Sequence, residues 1–141
     1  MEKVVEFRVD GDPGTKGRPR MAKNGKVYTP APTRHYEGRV LRACRAALEE
    51  EIEPITGPVA IQVEMVCRRP YGAKGDERGW CPHSRQRPDA DNCLKVVMDG
   101  LNKGLYEDDR QVCKAMVTKQ YCGKGEIPHI LVKVWRLNAA V

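Results

Sequence analysis

A chain of 141 residues is long enough to bury a real core but too short for two ordinary domains, so a single domain spanning 1–141 is expected. No apolar run is long enough to cross a bilayer, and the start, Met1-Glu2-Lys3-Val4-Val5, lacks the apolar core of a signal peptide; the expected compartment is cytoplasmic, with no membrane partner. With 25 Lys+Arg against 19 Asp+Glu the net charge is +6, and the excess is uneven: from Lys16 to Arg45 there are nine Lys/Arg and one acid, Glu37. Such clustering points towards a phosphate-bearing partner, the plain alternative being a solvated basic face.

The elements follow from periodicity. Val4 to Asp10 alternates apolar and polar residues and reads as a strand, broken by Gly11-Asp12-Pro13-Gly14. Asn24-Gly25 between two short extended segments signals a hairpin, which would carry Lys16, Arg18, Arg20, Lys23 and Lys26 on an exposed arm beside Tyr28. After Pro30 and Pro32, Thr33 is expected to cap a helix running to about Glu51, with Val40, Leu41, Cys44, Ala47 and Leu48 as its buried stripe. Val59 to Cys67 alternates as a half-buried strand. The Gly/Arg/Pro-rich stretch from Arg69 to Arg87 has no periodicity and carries Tyr71 and Trp80; loops of that length are usually functional or disordered. Leu94, Val97, Met98, Leu101 and Leu105 space a helix from about Asp91 to Lys103, stopped by Gly104. Val112 to Tyr121 and His129 to Leu137 read as two strands joined by the turn Gly123-Lys124-Gly125. The order predicts an α+β fold, with a mixed sheet packed by two main helices.

The six cysteines show no C-x-x-C and no regular framework, so reduced thiols, several of them in the core, are expected. Cys81-Pro82-His83 has no matched second pair and does not make a zinc site. Ser84 is the only serine, the three histidines are scattered, and no phosphate loop is visible.

What stands out is Arg87-Pro88-Asp89-Ala90-Asp91-Asn92-Cys93-Leu94-Lys95, echoed by Tyr106-Glu107-Asp108-Asp109. Carboxylates in pairs are the ligands of Mg²⁺, which keeps part of its water and shares phosphate oxygens. The bland readings are an N-cap for Asp91 and a solvated turn for Asp108-Asp109, and the spacing permits convergence of the two pairs without requiring it. Lys95 lies one turn beyond Asp91 on the same face, where its ammonium could meet a phosphate. Asp99 lies eight residues on, roughly 12 Å along the helix. That is too far to share an ion with Asp91, and Asp99 is assigned to pairing with Lys95 or to a supporting role behind the metal.

These residues resemble the RusA family of Holliday junction resolvases. The resemblance is carried by Arg87 to Asn92, Lys95, Asp99-Gly100-Leu101-Asn102 and Tyr106 to Val112, with similar N-terminal Gly14-Thr15-Lys16-Gly17-Arg18-Pro19-Arg20 and Tyr28-Thr29-Pro30 segments. It implies a homodimeric, Mg²⁺-dependent endodeoxyribonuclease, often encoded by phages or prophages, that nicks four-way DNA junctions in symmetric pairs and leaves 5′-phosphate ends. Mn²⁺ is expected to substitute, and no small-molecule cofactor is expected. By motif, Asp89, Asp91 and Asp109 would be the metal carboxylates, Asp108 a supporting acid, Lys95 the catalytic lysine and Asn92 an orienting amide. Lys16, Arg18, Arg20, Lys23, Lys26, Arg69 and Arg87 are the expected DNA contacts. Cys93 stands where an apolar residue would be expected, and the loop from Tyr71 to Gln86 is long. The alternatives are a basic DNA-binding module without catalysis, and a nuclease for flaps or other branched DNA.

Overall fold

The structure, a computed structural model, describes residues 1–70, 75–82 and 89–138. It has a mixed four-stranded sheet with two helices, α1 (Ala31–Ala47) and α2 (Ala90–Leu101), in a single α+β domain. The sheet strands are β1 (Glu2–Asp10), β4 (Val59–Cys67), β5 (Val112–Tyr121) and β6 (His129–Arg136), in spatial order β1-β6-β4-β5. A separate two-stranded ribbon, β2 (Arg20–Met21) with β3 (Val27–Tyr28), forms the expected hairpin, its turn closed by Ala22 N donating to Lys26 O at 2.8 Å.

The register explains the core. Val5, Phe7 and Val9 of β1 stand across from Val134, Val132 and Ile130 of β6, which stand across from Ile61, Val63 and Met65 of β4. All nine are buried, and they share one cluster with Val40 and Cys44 of α1 and Cys93, Val96, Val97 and Leu101 of α2. One sheet face is thus closed by the helices. The other presents Glu6, Arg8, Lys114 and Met116 to solvent, the alternation expected where a sheet is wet on one side.

Strands β5 and β6 are consecutive but do not pair: β4 lies between them, parallel to β5 and antiparallel to β6. Three expectations need correction. Strand β4 is closed on both faces at Ala60 and Val66, because it is an interior strand and Trp135 stands directly across from Ala60. Helix α1 begins earlier and ends earlier than expected, with Pro30 as its N-cap and Leu48 as its C-cap. Thr33 therefore lies inside the first turn, buried, where its Oγ1 accepts from Gly17 N at 2.9 Å, and Ala47 is exposed rather than part of the stripe. In α2 the buried stripe is Cys93, Val96, Val97, Gly100 and Leu101, which leaves Leu94 and Met98 at the margin. Cys93 fills the apolar position itself, as a buried thiol can.

Glycine sets the helix crossing. A Cβ at Gly100 would lie 3.0 Å from Glu37 O and 3.3 Å from both Glu37 Cα and Val40 Cβ, so α2 comes against the backbone of α1 at this point. Gly14 plays the same part for the arm, because a Cβ there would stand 2.3 Å from the Tyr36 ring.

Candidate active site

The acidic motif enters the fold at the start of α2. Asp89 is the N-cap residue, extended at φ −68° and ψ 141°, and its carbonyl accepts the first helical bond from Cys93 N at 2.9 Å. Its carboxylate makes no capping bond; instead Asn92 Nδ2 donates to Asp89 Oδ2 at 3.4 Å. Asn92 thus contacts the acid that it is expected to orient. Asp91 sits in the first turn, so the N-cap reading of Asp91 falls to Asp89. Along α2 the exposed residues are Asp91 and Lys95, four apart and therefore on one face. Neither makes an ion pair among the described residues.

The second acidic pair follows α2 on a short return. Tyr106 is fully buried and its hydroxyl donates to Met98 O at 2.6 Å, which fastens the return to the last turn of α2. Asp108 then caps a 3-10 turn (Asp109–Gln111), accepting from Arg110 N at 2.9 Å and pairing with the Arg110 guanidinium at 3.2 Å. The backbone N–H of Arg110, and then its guanidinium, hold the Asp108 carboxyl below its ordinary range. Asp109 is the next residue, half-buried, and it makes no ion pair with a Lys or Arg among the described residues. Asp108 is therefore occupied in building the turn, while Asp109 is the acid that the turn presents.

Asp89, Asp91 and Asp109 share the character of a hard-cation ligand: oxygen donors, solvent-reachable, and without an ion-pair partner among the described residues of a chain of net charge +6. That donor chemistry fits Mg²⁺. In the structure as it stands they are not drawn together: among the described residues no group of three or more His, Cys, Asp or Glu side chains is close enough to hold a metal ion.

The basic residues divide into two groups. Arg18, Arg20, Lys23 and Lys26 are exposed on the arm and make no ion pair among the described residues. Lys16 behaves otherwise. Its Nζ lies 2.9 Å from Glu37 Oε1 and 2.8 Å from Asp99 Oδ2, with about a fifth of the side chain exposed. Burial pulls its pKa down, but the hydrogen bonds to Asp99 and Glu37 outweigh this and hold it above the ordinary lysine value. Lys16 is thus engaged by two carboxylates, unlike the four arm cations, and Asp99 is paired with Lys16 and not with Lys95. Arg69 is also engaged: it donates to Cys122 O at 3.0 Å and to Glu77 O, and its guanidinium stacks over the Tyr121 ring. It pins the 75–82 segment to the sheet. Arg87, the last expected DNA contact, lies outside the described residues, as do Tyr71, His83 and Ser84.

Gln111 is a residue that the acidic motif alone does not single out. Its signal is nevertheless present: Asp108-x-x-Gln111 has the spacing of a capping box, and both halves of that box are formed.

Comparison with known proteins identifies the family. The family model Endodeoxyribonuclease RusA matches residues 10–134. The span takes in the arm, both helices and both acidic segments, and the chain belongs to the RusA endodeoxyribonuclease family. Among curated proteins it is similar to the uncharacterized protein YqaN of Bacillus subtilis (strain 168), 32% identical over 145 residues, covering 96% of this chain and 98% of that one. No helix among the described residues is long and apolar enough to cross a membrane.

Proposed function

We propose that this protein is a Mg²⁺-dependent resolvase of four-way DNA junctions that works as a homodimer and cuts opposing strands in paired nicks. The observation that carries the reading is the contrast between acids: Asp108 and Asp99 are bound into ion pairs, while Asp89, Asp91 and Asp109 carry none among the described residues. On the two acidic segments of a nuclease-family chain, these three are the aspartates that the described residues leave available to a cation.

In this mechanism Asp89, Asp91 and Asp109 would hold Mg²⁺, with Asn92 restraining the Asp89 carboxylate. Bound there, the cation would neutralise phosphate charge and lower the pKa of a water that attacks phosphorus. Helical side chains lean back towards the helix start, and so placed the Lys95 ammonium would donate to the non-bridging oxygens as charge grows on them. Arg18, Arg20, Lys23 and Lys26 would grip the backbone phosphates of an arm of the junction, which supplies affinity without base specificity. The exposed position of these four cations supports that role. A junction has approximate two-fold symmetry, so a two-fold dimer would bring one site to each of two opposing strands.

The test is cleavage of a four-way junction, a flap and a linear duplex, each with Mg²⁺ and with EDTA, alongside sedimentation of the free protein. Paired nicks on the junction alone, 5′-phosphate ends and a dimeric mass are expected. Equal cutting of the flap would move the reading to a general branched-DNA nuclease. Junction binding without cutting in any divalent metal would reduce the protein to a binding module.

A further inference from the structure

Gln111 spends its whole carboxamide on fixing the turn that carries Asp109. Its Oε1 accepts from Asp108 N at 2.8 Å, and its Nε2 donates to Ile55 O at 2.6 Å and to Gly57 O at 2.8 Å. The Ile55 carbonyl also accepts from Glu107 N at 3.3 Å, and Ile55 N donates to Leu105 O at 2.9 Å. One buried residue, Ile55, therefore receives at its carbonyl a donor from each side of the Asp108–Asp109 pair. A 3-10 turn of three residues has little stiffness of its own. Its direction is set by what it is bonded to, and here the Gln111 carboxamide, reaching across to the 55–57 segment, joins the Glu107 N–H and the Asp108 cap in fixing it.

We propose that Gln111 is a positioning residue for the metal carboxylate Asp109: its carboxamide locks the turn against Ile55 and Gly57 and so sets where the Asp109 oxygens stand. This rests on the reading of Asp109 as a metal ligand. Gln111 itself touches neither cation nor DNA in this scheme; it acts through the Asp108 N–H and the two carbonyls. The role needs an amide specifically. A carboxylate would keep the acceptor for Asp108 N but would set an oxygen against two carbonyl oxygens.

The experiment measures Mn²⁺ binding to the full chain without DNA, from the free-Mn²⁺ EPR signal, for wild type, Asp109→Asn, Gln111→Glu and Gln111→Ala. Thermal unfolding, the Mg²⁺ half-saturation of junction cleavage and junction affinity in Ca²⁺ are followed in parallel. Losing a group that orients a metal ligand typically costs about 10- to 100-fold in metal affinity or activity. Both Gln111 variants should show a Mn²⁺ dissociation constant and a Mg²⁺ half-saturation raised by about that factor. Their plateau cleavage rate should stay within a few-fold and their junction affinity should be unchanged. Folded Gln111 variants that bind Mn²⁺ within two-fold of wild type overturn the proposal, however far their melting temperature falls. If only Gln111→Glu fails to fold, Gln111→Ala decides on the same readout; failure of both to fold assigns Gln111 to the scaffold and overturns it too. Identical Mn²⁺ binding by wild type and Asp109→Asn would instead remove the metal role of Asp109, a separate result.

Discussion

Lys16 and Asp99, 83 positions apart in the chain, meet at 2.8 Å, and Glu37 joins them at 2.9 Å. The ion pair ties the root of the basic arm to α2, the helix that carries Asp91 and Lys95, and to α1 through Glu37. Lys16→Met should therefore destabilise the fold by roughly 2 kcal/mol, because two carboxylates are left facing one another without their cation. It should leave the salt dependence of DNA binding unchanged. The Lys16 pKa is raised, so the stability it contributes is fully present below the unfolded value of 10.5 and fades only as pH rises through the higher folded value. Chemical denaturation at pH 7 and the salt slope of junction binding check both halves; a reduced slope would return Lys16 to the DNA-contact set.

The arm cations should behave in the opposite way. Replacing Arg18, Arg20 and Lys26 with Ala should weaken junction binding with little dependence on base sequence. On duplex arms the log–log salt slope should fall by about 0.9 for every phosphate that is no longer neutralised. An unchanged slope in the triple variant would make the arm a solvated hairpin.

Asp91→Asn or Asp109→Asn should abolish cleavage while junction binding stays intact or improves, since Asn keeps the size of the side chain and removes the charge that holds the cation. EDTA should do the same to the wild-type protein. Wild-type cutting by either variant in Mg²⁺ would remove that residue from the ligand set.

Lys95→Ala should lose about 100- to 1000-fold in single-turnover rate at saturating enzyme, with metal and junction affinity nearly constant. Lys95→Arg should rescue poorly, because a planar fork does not replace a compact ammonium. A rate within a few-fold of wild type for Lys95→Ala would leave Lys95 a surface lysine.

Thiol reactivity offers a check on the packing. None of the six cysteines, all of them described, is in a disulfide, and Cys113 alone among them is exposed. Burial pushes the Cys93 thiol up to about 12, far from the thiolate form at neutral pH. A native titration with a thiol reagent should therefore report one fast cysteine and reach six only in denaturant; rapid modification of Cys93 would show that α2 opens.

The sequence is readable where a strand or turn has a strong local pattern. Val59–Cys67 and Val112–Tyr121 begin and end at the residues that alternation predicts, and the Asn24-Gly25 turn closes the ribbon expected of it. Pattern cannot say which strands lie side by side, because β4 enters between β5 and β6 through pairings with no local signature. It also treats charge as surface. Lys16 and Arg69 group with the arm cations in the sequence because composition cannot see Asp99, Glu37 or the Cys122 carbonyl arriving from distant segments. At the acidic segments the residue types are legible and the division of labour is not: that Asp108 caps a turn and that Gln111 braces it depends on where Ile55 and Gly57 sit.

Strand β1 pairs with β6 along its length, Glu2 opposite Arg136 and Asp10 opposite His129, so β1 finds its partner in the described strand farthest from it in sequence. During synthesis the apolar side of β1, with Val5, Phe7 and Val9, has no strand beside it until residues 129–136 have been made. Closing so long a loop is entropically slow, and the sheet must form late, after the helices have had time to organise. A chain cut short before His129 would lack the strand that joins β1 to β4, and its exposed edges would make it a substrate for chaperones or proteases.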